Sequence, residues 1–236
     1  MHQLAKRQQQ VSQYPLQPPQ SSHRSLEPSP QGFQPDIVHL ALAMGGFAIG
    51  IAEFAIMSLL PFFARDLHIS EPVAGHVISA YALGVVVGAP LIAVLSARIP
   101  RKTILISLMM FFALMNGLSG LAPDYRSMIV LRFLAGLPHG AYFGIAMLVA
   151  TSLVPSDKRT GAVGRVLLGL TVATIVGVPM ANGIGQTFGW RWAFAIVAAL
   201  ALLTAVFVAI LPRVTWWKPT RARCVNFRLS VVSMSG

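Results

Sequence analysis

Glu53, Arg132 and His139 are the residues of this sequence best placed to do chemistry, because each stands within a long apolar stretch. An ionisable side chain inside a bilayer is costly, faces the interior of a helix bundle and marks a functional site by default. Glu53 lies in GFAIGIAEFAIMSLLP, with no charged neighbour in the chain. Counted at helical rise from the outer ends of their stretches, Glu53 sits about 13 Å deep and Arg132 about 9 Å. That similarity predicts an ion pair or a water-bridged pair, either purely structural or one in which protonation of Glu53 releases Arg132. His139 follows Pro138 directly. Its imidazole is placed either to relay protons or to hydrogen-bond a carbonyl that Pro138 leaves free. Asn116, Thr171, Thr174 and Asn182 add weaker polar positions. Nothing here resembles a metal-ligand set or implies a cofactor; a proton gradient is the energy source that suits these groups.

The elements that must position these residues follow from composition. The chain has 236 residues, 55% hydrophobic and 11% charged, where a soluble domain carries roughly 25% charged residues. The deficit is concentrated in six apolar stretches, at Val38–Phe62, Val73–Leu95, Thr103–Leu121, Ser127–Val149, Val163–Gln186 and Trp190–Leu211. A helix needs about 20 apolar residues to cross the hydrocarbon core, so each stretch is long enough. The expected fold is an all-α membrane protein of six transmembrane helices, and the lipid bilayer is its first partner.

Small residues recur every fourth position: Gly46 and Gly50; Gly84 and Gly88; Gly136, Gly140 and Gly144. Lipid provides no hydrophobic drive between helices, so close backbone approach at small residues supplies the packing. Pro90, Pro138 and Pro179 fall inside the second, fourth and fifth stretches, and each removes a helical hydrogen bond. Their flanking glycines are consistent with helices shaped around a cavity, or with simple irregularity of packing.

The basic residues set an orientation. Fourteen of the 18 Lys and Arg fall at the amino terminus, after the second and fourth stretches, and after the sixth. Only Arg65, Arg126 and Arg191 fall on the other side, which places both termini in the cytoplasm by the positive-inside rule. The net charge of +11 is therefore topological. It forms no stripe interleaved with aromatics, so no nucleic-acid partner is expected. The one cysteine, Cys224, excludes an intramolecular disulfide. Residues 1–35 are rich in Pro, Gln and Ser, without the apolar core of a signal peptide, and read as a disordered cytoplasmic tail. Residues 213–236 read as a basic cytoplasmic tail, with Trp216 and Trp217 suited to the interface.

Several strings carry a resemblance. RFLAGLPHGAYFG (Arg132–Gly144) is similar to a fourth-helix motif built on a membrane arginine. GLTVATIVGVPMANGIGQTFGWRWAF (Gly169–Phe194) is similar to a fifth-helix antiporter motif, with Gly177, Pro179, Gly183 and Gly185 at its glycine and proline positions. AEFAIMSLLP (Ala52–Pro61) is similar to a first-helix Glu-Phe signature. From about Ala41 to Leu211 the chain resembles the major facilitator superfamily, in its drug:proton antiporter-1 group and arabinose-efflux-permease-like branch. The resemblance implies one bundle of 3+3 inverted repeats over residues 36–212. It also implies proton-coupled export of a small molecule, a sugar, a nucleoside or a drug-like amphiphile, across the cell inner membrane. Glu53, Arg132 and His139 would line the coupling site, and Gly136, Pro138, Gly140, Gly177, Pro179 and Gly183 would shape the helices.

The loop after the second stretch departs from the family pattern. LSARIPRK keeps the basic positions as Arg98, Arg101 and Lys102, but carries Ala97 where the family has an acid and Pro100 where it has glycine. The resemblance attributes an inter-helix charge lock to that acid, and Ala97 sets this chain apart at that contact. The resemblance also covers only the first of two six-helix halves. A truncated half without transport activity is therefore the competing expectation, with a homodimer or a separate second half as the route to function. A remoter alternative, an intramembrane protease, rests on Gly117-Leu118-Ser119-Gly120, whose serine stands far from His139 by helical rise.

Overall fold

The computed structural model describes residues 35–211, all within the second of two compact units, Gln34–Gly236. The expected tails, 1–35 and 213–236, lie outside the described residues except for Pro35, which begins the first helix. Among the described residues, six helices are long and apolar enough to cross a membrane. They are α1 (Pro35–Asp66), α2 (Glu71–Leu95), α3 (Arg101–Gly120), α4 (Tyr125–Ser152), α5 (Ser156–Phe188) and α6 (Trp190–Ile210). Among the described residues there is no strand.

Two helix ends differ from expectation in ways that matter. Helix α1 does not stop near Pro61 but continues through it to Asp66. Helix α5 is not one uniform helix: a 3-10 turn at Ser156–Lys158 leads into Arg159–Val172, then a π-helical turn at Ala173–Gly177, then Val178–Phe188. Pro179 lacks an N–H, and its ring crowds the carbonyl four residues back. A π turn immediately ahead of it absorbs the resulting misfit, which is where such bulges characteristically occur.

Packing follows the small residues. A Cβ added at Gly84 would collide with the Phe133 carbonyl and one at Gly88 with the Leu137 backbone, so α2 and α4 touch backbone to backbone. On α4, Gly136 abuts the Tyr81 carbonyl and the Gly84 Cα, and Gly140 abuts Ala89. Helices α1 and α5 pair in the same manner: Gly50 lies against Ala173 and Leu170, Gly169 against the Ala43 backbone, and Gly177 against Ile51. Gly144 is the exception, since a Cβ there would meet nothing within 4 Å.

The neighbour pattern has an internal symmetry. Exchanging α1–α3 with α4–α6 converts the α2–α4 pair into α5–α1 and the α3–α4 pair into α6–α1. It also converts α1–α2 into α4–α5, and leaves α3–α6 unchanged. Successive helices alternate in direction through short connections, so the two triplets are inverted relative to each other, the arrangement expected of a 3+3 repeat.

Helix ends are tied by polar contacts. Asp36 of α1 pairs with Arg165 of α5 at 2.6 Å, and Arg165 also approaches Nδ1 of buried His39 at 3.4 Å. At the opposite end of α1, Asp66 accepts from Arg191 and, at 3.1 Å, from the Trp190 indole. Asp124 caps α4 in a reciprocal box with Ser127. The hydrogen bond from the Ser127 backbone N–H holds the Asp124 carboxyl below the usual carboxylate range. A depressed folded pKa means that the cap stabilises fully above the unfolded value, near pH 4, and that this contribution is lost as pH falls through the folded value. Asp124→Ala should accordingly speed amide hydrogen exchange in the first turn of α4 at pH 7. Against wild type that difference should shrink in acid; an equal difference at pH 7 and pH 3 would rule out the carboxylate as the cap.

Candidate proton site

Glu53 and His139 come from α1 and α4, which are joined mainly through side chains, and their side chains approach one another. The Glu53 carboxylate lies 4.0 Å from His139 Nε2, with the two side chains 33% and 12% exposed. The other edge of the imidazole, Nδ1, is 2.9 Å from the Tyr81 hydroxyl. Phe143 packs against the same imidazole, with ring centroids 5.5 Å apart.

Arg132 belongs to a neighbouring but separate arrangement. It is fully buried. One terminal nitrogen donates to Asn116 Oδ1 and the other to the Ala52 carbonyl, both at 3.0 Å. Its guanidinium carbon lies 4.3 Å from the centroid of Tyr81 and 5.5 Å from that of Phe194. Two neutral oxygens and two aromatic faces thus receive the cation, the rings contributing through their quadrupoles. Asn116 is itself fixed by donating to the Phe112 carbonyl at 2.8 Å.

The direct ion-pair form of the expected Glu53–Arg132 pair is not formed: Glu53 faces His139, and Arg132 reaches the backbone beside Glu53. Helix length accounts for the approach of Glu53 to His139. With α1 ending at Asp66, Glu53 is thirteen residues from that end, His139 is fourteen from Tyr125, and Arg132 only seven. At 1.5 Å per residue these are depths of about 20, 21 and 10 Å. His139 also turns away from carbonyls of its own helix and bonds across to α2, so the reading that ties it to a carbonyl freed by Pro138 does not hold.

The remaining predicted residues divide clearly. Gly136 and Gly140 lie at the α2–α4 contact, Pro138 is buried within an uninterrupted α4, Gly177 closes the π turn, and Pro179 follows just after it. Gly183 shapes nothing here, because a Cβ there would meet no atom within 4 Å; Gly185, two residues on, is the glycine pressed against Leu59. In the loop after α2, Arg98 and Arg101 are exposed. Lys102 instead donates to the carbonyls of Ala209, at 2.7 Å, and of Leu211. It thereby caps the carboxyl end of α6, where a cation is favoured. The hydroxyl of Ser119 is buried and donates to the Met115 carbonyl at 2.8 Å, within its own helix. A groove of about 980 Å³ runs between α3 and α6, lined by Met110, Phe111, Leu114 and Trp192 among others. None of Glu53, Arg132, His139 or the three span prolines lines it.

Sequence reasoning missed Tyr81 and Phe194. Tyr81 had a usable signal: with Gly84 and Gly88 it forms an i, i+3, i+7 row, so the face that presses glycine backbone onto α4 also presents Tyr81 to it.

Six apolar helices, glycine-mediated pairs and an inverted triplet symmetry define a polytopic membrane protein. The sequence model of the Major Facilitator Superfamily matches residues 42–223, and the chain belongs to that family. It is 48% identical over 167 residues to the inner membrane transport protein YdhP of Escherichia coli strain K12, covering 71% of this chain and 43% of that protein. It is 35% identical over 164 residues to a chloramphenicol resistance protein of Streptomyces lividans, covering 70% and 42%. Among solved structures, a bacterial homolog of the human lysosomal transporter Spinster, in an inward-facing conformation, superposes with a TM-score of 0.66. That match has 21% identity and covers 76% of this chain and 43% of the other. The chain thus spans less than half the length of the relatives it matches.

Proposed function

We propose that this chain acts as the amino-terminal bundle of a proton-coupled exporter of small molecules in the inner membrane, with both termini cytoplasmic. The observation that carries the reading is the Glu53 carboxylate, partly accessible within a membrane helix and 4.0 Å from His139. At 4.0 Å the carboxylate and the imidazole lie beyond hydrogen-bond distance but close enough to interact electrostatically, and an intramembrane acid of this kind is the usual element of a proton relay. Similarity to a protein named for chloramphenicol resistance supports a drug-like substrate. The resemblance to arabinose-efflux permeases keeps sugars in the same proposal. Fourteen basic residues on one side against three on the other support the orientation.

Alternating access needs one bundle to rock against another, so the proposal includes a second six-helix bundle, from a second copy or a separate half. The test is uptake of radiolabelled chloramphenicol and L-arabinose by everted vesicles containing the chain, with an imposed pH gradient. At least one probe should accumulate in wild-type vesicles and lose its gradient dependence in Glu53→Gln, with membrane insertion unchanged. Full gradient-driven flux in the variant would exclude Glu53 as the coupling group. No flux of either probe in wild type would favour a transport-inactive half.

A further inference from the structure

Tyr81 touches both groups: the Arg132 cation lies over its ring face, and its hydroxyl reaches the His139 imidazole. Tyr81 is 4% exposed, so its hydroxyl hydrogen must find an acceptor inside the protein. Among the described residues the hydroxyl has one hydrogen-bond partner, His139 Nδ1 at 2.9 Å. A neutral imidazole has one protonated and one bare nitrogen. If Nδ1 held the proton, the Tyr81 hydrogen would face it with nothing to accept it. Arg132 acts in the same sense: its guanidinium over the ring face, 4.3 Å from the centroid, withdraws electron density and makes the phenol a better donor and a poorer acceptor. Glu53 completes the set from the other side, since an Nε2–H directed at its carboxylate is attractive and a bare Nε2 lone pair is repulsive.

We propose that Tyr81 is a positioning residue that locks neutral His139 in its Nε2–H tautomer, so that the edge facing Glu53 always presents an N–H. His139 is then a fixed donor toward the Glu53 carboxylate and not a conduit. A proton on Glu53 does not pass through the neutral imidazole, because Nε2 already carries its hydrogen and the Nδ1 lone pair is taken by a buried hydroxyl whose ring is backed by a fixed cation. The titratable or charged groups facing the imidazole are Glu53 from α1, Tyr81 from α2 and, behind the Tyr81 ring, Arg132 from α4.

The consequence for transport rests on the proton-site reading above, but the tautomer can be measured without any transport. The full chain, labelled with ¹⁵N-histidine and reconstituted in lipid nanodiscs, gives nitrogen resonances that separate the two tautomers; comparison with His139→Gln assigns the relevant pair. The expected result at neutral pH is a protonated Nε2 and a hydrogen-bonded, unprotonated Nδ1. Tyr81→Phe retains the ring over Arg132 and removes only the hydroxyl. It should shift the Nδ1 resonance to that of an unbonded nitrogen and produce a mixture of tautomers, while the thermal unfolding of the variant stays near that of wild type. A wild-type Nδ1–H signal, or His139 resonances unchanged in Tyr81→Phe, would overturn the proposal. Lowered stability in Tyr81→Phe with unchanged resonances would reduce Tyr81 to a packing residue and overturn it as well. The expected spectra together with intact gradient-driven flux in Glu53→Gln would leave this inference standing and remove the proton-coupling function.

Discussion

Gly136→Val should give no folded bundle. A Cβ at Gly136 would collide with the Tyr81 carbonyl, lie 3.0 Å from the Val85 amide nitrogen and lie 3.1 Å from the Gly84 Cα. All three are main-chain atoms of α2, so no rotamer change relieves the clash; the two helices must separate along their whole contact. In lipid that contact is the source of their association, because apolar side chains gain nothing by leaving the acyl chains for one another. The expected readout is loss of the monodisperse peak in detergent and rapid digestion by protease. Gly183→Val is the matched control, since the site is open, and should behave as wild type. Equal yield and protease resistance for both variants would refute the backbone-contact account of α2–α4.

Arg132→Ala should produce the second-largest loss. Removing the guanidinium strands Asn116 Oδ1 without its donor and leaves a void between the Tyr81 and Phe194 rings. Unsatisfied buried acceptors cost about 1–3 kcal/mol each, and large-to-Ala changes in a core cost about 2–5 kcal/mol. A combined loss on the order of 3–5 kcal/mol is expected once partial relaxation and non-additivity are allowed for. Arg132→Lys should recover little, because a single ammonium cannot donate to Asn116 and Ala52 together while lying flat on Tyr81. Thermal unfolding in a mild detergent measures both. A lysine variant as stable as wild type would show that charge alone, without the fork geometry, is what the site requires.

Much of the fold is legible in the chain because the bilayer constrains it so strongly. Apolar length locates six helices, and the four-residue spacing of Gly84 and Gly88 and of Gly136 and Gly140 marks faces suited to close packing without saying which helices meet. The site is less legible, and the reason is specific. Pro61, with Arg65 and Asp66 beyond it, reads as the end of a span, whereas α1 continues through the proline by leaving one carbonyl without its helical donor. Four residues of helix change the depth of Glu53 by about 6 Å, enough to bring it level with His139. Gly183 and Gly185 illustrate a second limit. Both match a motif, but residues two apart on a helix point to nearly opposite sides, and only one of them can meet α1. Tyr81 illustrates a third, since an aromatic residue in an apolar stretch acquires a polar role only when another helix delivers an imidazole to it.

The glycine contact between α2 and α4 has a mechanical meaning for the proton site. Tyr81 and His139 are mounted on two helices whose backbones interlock, with Gly136 against the very carbonyl of Tyr81. Their hydrogen bond is therefore the fixed jaw of a calliper. Glu53 rides on α1, which packs chiefly with α5 and α6 and is joined to α4 by the Arg132–Ala52 hydrogen bond beside it, and it is the second jaw. The 4.0 Å gap is the opening between the jaws: closing it to hydrogen-bonding distance takes a shift of about 1 Å, set against a Tyr81–His139 reference length of 2.9 Å.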